Sequence, residues 1–206
     1  MMTRITLRSS IMAAAALAAL AGSAAAQSPA ASSCPTYFFL SGELAANPSL
    51  ETVGPNGPTT CWNNGDPSPA PSAAADWFMH SSNAGASVCS RLVAPTTVPG
   101  PGGSRMLHFR AGGNEGGIYQ YVDLPPDKDY MFSVWVFVRR GHVAIQSNAM
   151  TGGPVAWSTK IGEWEQLRVC TNSLSSTNML VIYNQDENGG DFYVDRIELR
   201  EIPTLE

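Results

Sequence analysis

Along most of the second half of this 206-residue chain, apolar and polar side chains alternate with a period of two, the mark of half-buried β-strands. The alternation predicts strands over residues 105–111 (RMLHFRA), 116–124 (GGIYQYVDL), 129–140 (DYMFSVWVFVRR) and 142–147 (HVAIQS). Three more follow at 163–172 (EWEQLRVCTN), 178–185 (NMLVIYNQ) and 191–202 (DFYVDRIELREI). Turn chemistry separates them: Pro125–Pro126–Asp127, Arg140–Gly141, Gly152–Gly153–Pro154 and Asn188–Gly189–Gly190. Residues 37–40 are a candidate edge strand, whereas 54–75 and 93–104, dominated by small and turn-forming residues, read as irregular loops. No stretch between residues 34 and 206 carries a 3.6-residue period, and the chain has no internal repeat. Many short strands without intervening helices predict an antiparallel sandwich or barrel.

The alternation also assigns faces. In 129–140 it puts Tyr130, Phe132, Val134, Val136 and Val138 on the core side, and Met131, Ser133, Trp135, Phe137 and Arg139 on the other. In 116–124 it sends Ile118, Val122 and Leu124 inward and Tyr119 and Tyr121 outward. If those two strands are neighbours, Tyr119, Tyr121 and Trp135 line one open sheet face. In the closing strand Tyr193, Asp195, Ile197 and Leu199 share the inward phase, so an aspartate is expected where an apolar side chain belongs. A carboxylate facing a core is costly unless it is paired or bound to a metal.

Composition narrows the setting. Arg4 and Arg8 precede an apolar run over 11–21, and Ala24 and Ala26 satisfy the small-residue cleavage rule before Gln27. Residues 1–26 therefore read as a bacterial secretory signal peptide, too short in its apolar run to span a bilayer, and the protein is expected to be secreted or periplasmic. Residues 27–45 form a leader, 46–202 the globular domain and 203–206 a tail. Cleavage removes two of the 12 basic residues and none of the 17 acidic ones, taking the net charge from −5 to −7. With only Lys128 and Lys160 and scattered arginines, the chain lacks the basic stripe that nucleic acid needs. Four cysteines in an exported chain imply two disulfides. Of the three pairings, Cys61–Cys89 with Cys34–Cys170 is favoured, because the first would staple a long loop.

Four short motifs in order then resemble carbohydrate-binding modules of families four, nine and twenty-two. "NPSLE" (47–51) looks like their opening motif, with Leu50 where they carry phenylalanine. "GGIYQYVDLPPDKDYMFSVWV" resembles their central strand pair, "EWEQL" a tryptophan-started strand, and "FYVDRIEL" the closing strand. The resemblance implies an all-β fold, an antiparallel jelly-roll β-sandwich of the galactose-binding-like type. It also implies a structural Ca²⁺ held by Glu51 and Asp195, chemistry that suits a hard cation with oxygen ligands. The alternatives for Asp195 are an arginine partner such as Arg196 or a loop cap. The acidic cluster 186–191 (DENGGD) lacks the spacing of a calcium loop and reads as a turn.

The function this suggests is non-catalytic binding of an oligo- or polysaccharide. Sugar rings stack their C–H faces on aromatic rings while their hydroxyls bond to a few placed polar groups. Candidate residues are Tyr119, Tyr121 and Trp135 for stacking, Arg139 and Gln146 as donors, and Trp77 and His80 from the segment 76–83. The competing reading is that residues 54–101 fold over these aromatics as a second small core. Two other classes share the fold: a surface adhesion protein, and a polysaccharide lyase using Tyr121, His80 and Arg139. No nucleophile elbow or zinc-binding helix motif is present, and His108 and His142 lie in strand patterns.

Overall fold

The computed structural model describes residues 34, 42–63, 69–81, 87–95, 98–113, 115–149, 152–173 and 177–203. The expected signal peptide and the candidate edge strand at 37–40 lie outside the described residues. Twelve strands form among the described residues. They are β1 (Thr59–Asn63), β2 (Ala70–Pro71), β3 (Phe78–His80), β4 (Ser87–Val93), β5 (Met106–Ala111) and β6 (Gly117–Asp123). The chain continues through β7 (Asp129–Arg140), β8 (Val143–Gln146), β9 (Val155–Trp157), β10 (Trp164–Asn172), β11 (Thr177–Asn184) and β12 (Gly190–Ile202). All seven expected strands are present, each end within one residue of its predicted position. Segment 54–75 departs from expectation: β1 and β2 run through it.

Two antiparallel six-stranded sheets pack face to face, in the orders β1-β4-β5-β12-β7-β10 and β2-β3-β6-β11-β8-β9, giving a jelly-roll β-sandwich with no helix among the described residues. The first sheet buries Phe109, Phe132, Val134, Val136, Phe192, Val194 and Leu199 against Ile118, Ile145, Leu180 and Ile182 of the second. Both disulfides have the favoured pairing. Cys61 and Cys89 are direct cross-strand partners in β1 and β4, so the bond staples two paired strands rather than a loop. Cys34–Cys170 ties the leader to β10.

The opening motif wedges against the second sheet. Leu50, at φ 58°, is fully buried in the core. The Asn47 side chain bonds the carbonyls of Thr52 and Ala75 and accepts from Thr52 N–H, closing the loop around it. Gln120, buried on β6, accepts from Ala46 N–H and donates to the carbonyls of Ala46 and Asp76. Each polar group taken into the interior here has its partner.

Two β-bulges interrupt the β7–β12 ladder. The register jumps between Asp191/Phe192 and again between Asp195/Glu198. At the second jump β12 carries the extra residue, and Arg196 sits at φ 48°. A bulge inserts one residue and so reverses the in–out alternation beyond it. The predicted phase of the closing strand is therefore corrected. Ile197 and Leu199 face the core, but Tyr193 and Asp195 share the outer face with their register partners Phe137 and Trp135. Asp195 faces away from the core, and it is nonetheless only 1% exposed.

The covering layer is the segment that follows β4. Gly102 N–H donates to Asp195 Oδ2 at 3.2 Å and Arg196 N–H to Oδ1 at 2.7 Å. The chain passes so close that a Cβ on Gly100 would lie 2.6 Å from Oδ2. Alongside, Glu51 accepts from Ser104 N–H (2.6 Å), Ser104 Oγ–H (2.6 Å) and Arg105 N–H (2.9 Å). Gly103, at φ 67°, has its open side filled by the same carboxylate. Burial works to raise Glu51, but the hydrogen bonds from Ser104 and Arg105 outweigh it and hold the group below its ordinary value. Asp195 is pushed up to about 6, chiefly by burial and further by the charge of Glu51, against its two backbone hydrogen bonds.

That shift has a stability consequence of definite sign. Between the unfolded value near 3.8 and the folded value of about 6, the folded chain holds a proton that the unfolded chain has lost. Stability from this group is thus lost as pH rises through that window and is level above it. In chelator, comparing wild type with Asp195→Asn by denaturant melts should show wild type losing roughly 2–3 kcal/mol relative to the variant between about pH 4 and pH 7. A difference that stays constant across that range would contradict the assigned environment.

Candidate functional site

The outer face of the second sheet is built from alternate residues of five strands. Phe78, Tyr119, Val181, Gln146 and Val155 align in register across β3, β6, β11, β8 and β9. The next row runs through His80, Gly117, Tyr183, Ala144 and Trp157. One step the other way, Tyr121 pairs with Met179. The opposite phase of each strand fills the core, so this face carries whatever the core does not require.

Aromatic rings cluster on it. Tyr119 lies 5.6 Å from Phe78, 5.4 Å from Tyr121 and 6.5 Å from His80, centre to centre. Trp157 meets Tyr183 edge-on at 6.1 Å. Tyr121 is 53% exposed and Trp157 36%, high values for rings of this size. Between the two groups lies a hollow of about 230 Å³ lined by His80, Glu115, Gln146, Met179, Val181 and Tyr183.

The His80 and Tyr183 rings in the hollow are uncharged at neutral pH. Burial keeps the His80 imidazole below its ordinary value, with Glu115 pulling the other way. Burial, and then Glu115, raises the Tyr183 phenol. Each ring thus presents neutral donor and acceptor atoms. Gln146 is anchored by donating to Gly153 O at 2.9 Å. Behind Tyr183, the buried Asn184 side chain donates to the carbonyls of Gly113, in the loop that carries Glu115, and of Asp186, in the turn after β11. The cluster 186–191 is a turn: Asn188 N–H and Gly189 N–H both return to Asp186.

The seven residues expected from sequence do not share one surface. Tyr119, Tyr121, His80 and Gln146 lie together on this face. Trp77 is 1% exposed and belongs to the main core. Trp135 and Arg139 are on β7, in the other sheet, so the expected grouping of Trp135 with Tyr119 and Tyr121 is corrected. The strands of 116–124 and 129–140 are consecutive in sequence but sit in opposite layers. The same separation divides the trio Tyr121, His80 and Arg139. Segment 98–105 does fold over aromatic surface, but on the first sheet, where Trp164 Nε1–H donates to Pro99 O. On the second sheet's face Tyr121 and Trp157 stay exposed. Sequence reasoning missed Phe78, Tyr183, Met179 and Trp157; the outward phase of 178–185 was the available signal for two of them.

Glu51 and Asp195 do approach one another, beneath segment 98–105. They offer carboxylate oxygens from two segments distant in sequence, and a cation there would offset both the burial of Asp195 and the mutual repulsion. Among the described residues, no group of three or more His, Cys, Asp and Glu side chains gathers at one point. Further oxygen ligands to a cation at this pair would have to be backbone carbonyls or water.

Neither protein-family models nor curated protein sequences match this chain, but solved structures do. TmCBM61, in complex with β-1,4-galactotriose, aligns with a TM-score of 0.52 at 15% identity, over 79% of this chain and 100% of that one. The Stig cyclase Fisc from Fischerella sp. TAU, in complex with an indole compound, aligns at 0.53 and 13% identity over 81% and 100%. The arabinose-bound MgGH51 α-L-arabinofuranosidase aligns at 0.52 and 14% identity, over 81% of this chain and 27% of that one. What these proteins share with this chain is the fold. The chain has the jelly-roll β-sandwich found in a carbohydrate-binding module, a cyclase and part of a glycosidase.

Proposed function

We propose that this is an exported, non-catalytic protein that binds a neutral oligo- or polysaccharide on the outer face of its second sheet. The observation that carries the reading is the exposed Tyr121, edge-on to Tyr119, which in turn meets Phe78, on the face that holds the hollow edged by His80, Gln146 and Tyr183. Exposed rings take the C–H face of a sugar, and neutral, pre-positioned polar groups take its hydroxyls without the cost of stripping water from a charge. The fold shared with a module solved with a galactotriose supports the class of ligand. The two disulfides suit an oxidising compartment, as does the secretory pattern of residues 1–26.

A structural Ca²⁺ at Glu51 and Asp195 belongs to the same proposal. It would supply positive charge where two carboxylates converge and would clip the opening motif to the closing strand. Binding only the folded state, it would stabilise by mass action.

Two outcomes are expected. On a glycan array followed by calorimetry, Tyr121→Ala should weaken binding of the best neutral glycan by about 1–3 kcal/mol, while folding stability changes by about 0.5 kcal/mol or less. Trp135→Ala should leave that affinity unaltered. An array on which no glycan binds, or Tyr121→Ala at wild-type affinity, would reject the site. For the metal, chelator should lower the melting temperature, and Ca²⁺ but not an equal concentration of Mg²⁺ should restore it. A melting temperature indifferent to chelator would leave Asp195 held by the Gly102 and Arg196 N–H groups alone.

A further inference from the structure

The arginines, scattered in sequence, are not scattered in space. Of the eight arginines in residues 27–206, four meet on the outer face of the first sheet. Arg91 on β4, His108 on β5, Tyr193 on β12, Phe137 on β7 and Trp164 on β10 form one continuous row across the sheet. The neighbouring row is Cys89, Arg110, Asp191 and Arg140. The first β-bulge decides the outcome at its end. Arg139 is the extra residue between the Phe192↔Val138 and Asp191↔Arg140 pairs. Strict alternation would turn Arg140 toward the core; the inserted residue leaves both arginines facing out and highly exposed.

The surface between them is concave. One cleft of about 380 Å³ is lined by Arg110, Arg139, Arg140 and Asp191. A second, of about 450 Å³, is lined in part by Arg91, Arg110, Arg139, Met106, His108 and Tyr193. The two share Arg110 and Arg139. Four guanidinium charges face a single carboxylate, and that carboxylate is already engaged by His108 (2.8 Å) and Arg110 (3.2 Å). Arg91, Arg139 and Arg140 have no ion-pair partner among the described residues. In a chain whose net charge is −5, such a local excess of fixed positive charge opposes the overall field and focuses anions there.

We propose that this face is a second binding site, for an anionic glycan carrying carboxylate or sulfate groups. Arginine's planar fork matches the paired oxygens of both groups, which a lysine's point charge does not. Two adjoining clefts that share two arginines suit successive anionic residues of a polymer better than one isolated ion. The clefts have a packed floor: His108 stacks on the buried Tyr193 at 4.4 Å, and both rings line the second cleft. The site is independent of the one on the second sheet, so either can fail without the other.

The test uses the full disulfide-bonded chain and four probes: polygalacturonate, dextran sulfate, unmodified dextran and double-stranded DNA. One of the two anionic glycans should bind, with affinity falling steeply between about 50 and 200 mM salt as the exposed charges are screened. Which of them binds identifies carboxylate or sulfate as the recognised group. The double variant R139Q/R140Q should weaken that binding roughly tenfold or more, the scale of losing charge-assisted hydrogen bonds from two side chains, with an unaltered melting temperature. R139K/R140K, which keeps the charge but not the fork, should recover only part of it. Failure of both anionic glycans to bind would overturn the proposal, as would wild-type affinity in R139Q/R140Q. DNA binding as tightly as the better glycan would overturn the assignment to sugar.

Discussion

The ladder between β7 and β12 is the constraint on which the arrangement of both faces rests. These are the two longest strands, both interior in the first sheet, and their pairing is interrupted twice. In an uninterrupted ladder every second side chain would face the same way, and Tyr193, Asp195, Ile197 and Leu199 would all be buried in the core. One inserted residue at Arg196 lets Ile197 and Leu199 remain there and sends Asp195 out beneath segment 98–105. One inserted residue at Arg139 brings Arg140 out beside it. Each bulge gives up regular pairing at one point and gains a differently aimed side chain.

The two layers thereby acquire different chemistry. The second sheet's face is aromatic with neutral polar groups; the first sheet's face is dominated at one end by guanidinium groups and at the other by the buried Asp195 with the half-buried Glu51 beside it. A sandwich of this kind keeps its inner faces for packing, and its two outer faces are free to differ. Gln120 and Asn184 show how the open face is held: both are buried amides that tie loops flanking it to the strands beneath.

Much of this was legible in the sequence, and the rest was hidden for physical reasons. Seven of the eight strands from residue 105 onward announce themselves by alternation because each spans enough residues to show it; β9, with three residues, does not. β2 holds only two residues, Ala70 and Pro71, and β3 only three; strands that short take their conformation from the neighbour they pair with, not from a local pattern. Trp77 reads from sequence as part of a loop segment, yet the turn at Asp76, with φ 64°, delivers its ring to the core. The phase reversal in the closing strand left no local signal, since the residue in the left-handed region is an arginine rather than a glycine. The sheet assignment of Trp135 and the convergence of the arginines depend on strand order, which alternation does not encode.

The central claim is that binding of a neutral sugar belongs to the second sheet's face and not to the Trp135 side of the first. Side-chain NMR on the full oxidised chain, titrated with the neutral glycan that binds best, tests it most directly. The ring signals of Tyr119, Tyr121 and Tyr183 should shift together while the indole signals of Trp135 and Trp164 stay in place. Shifts confined to those two indoles, with the three tyrosines unmoved, would contradict the account.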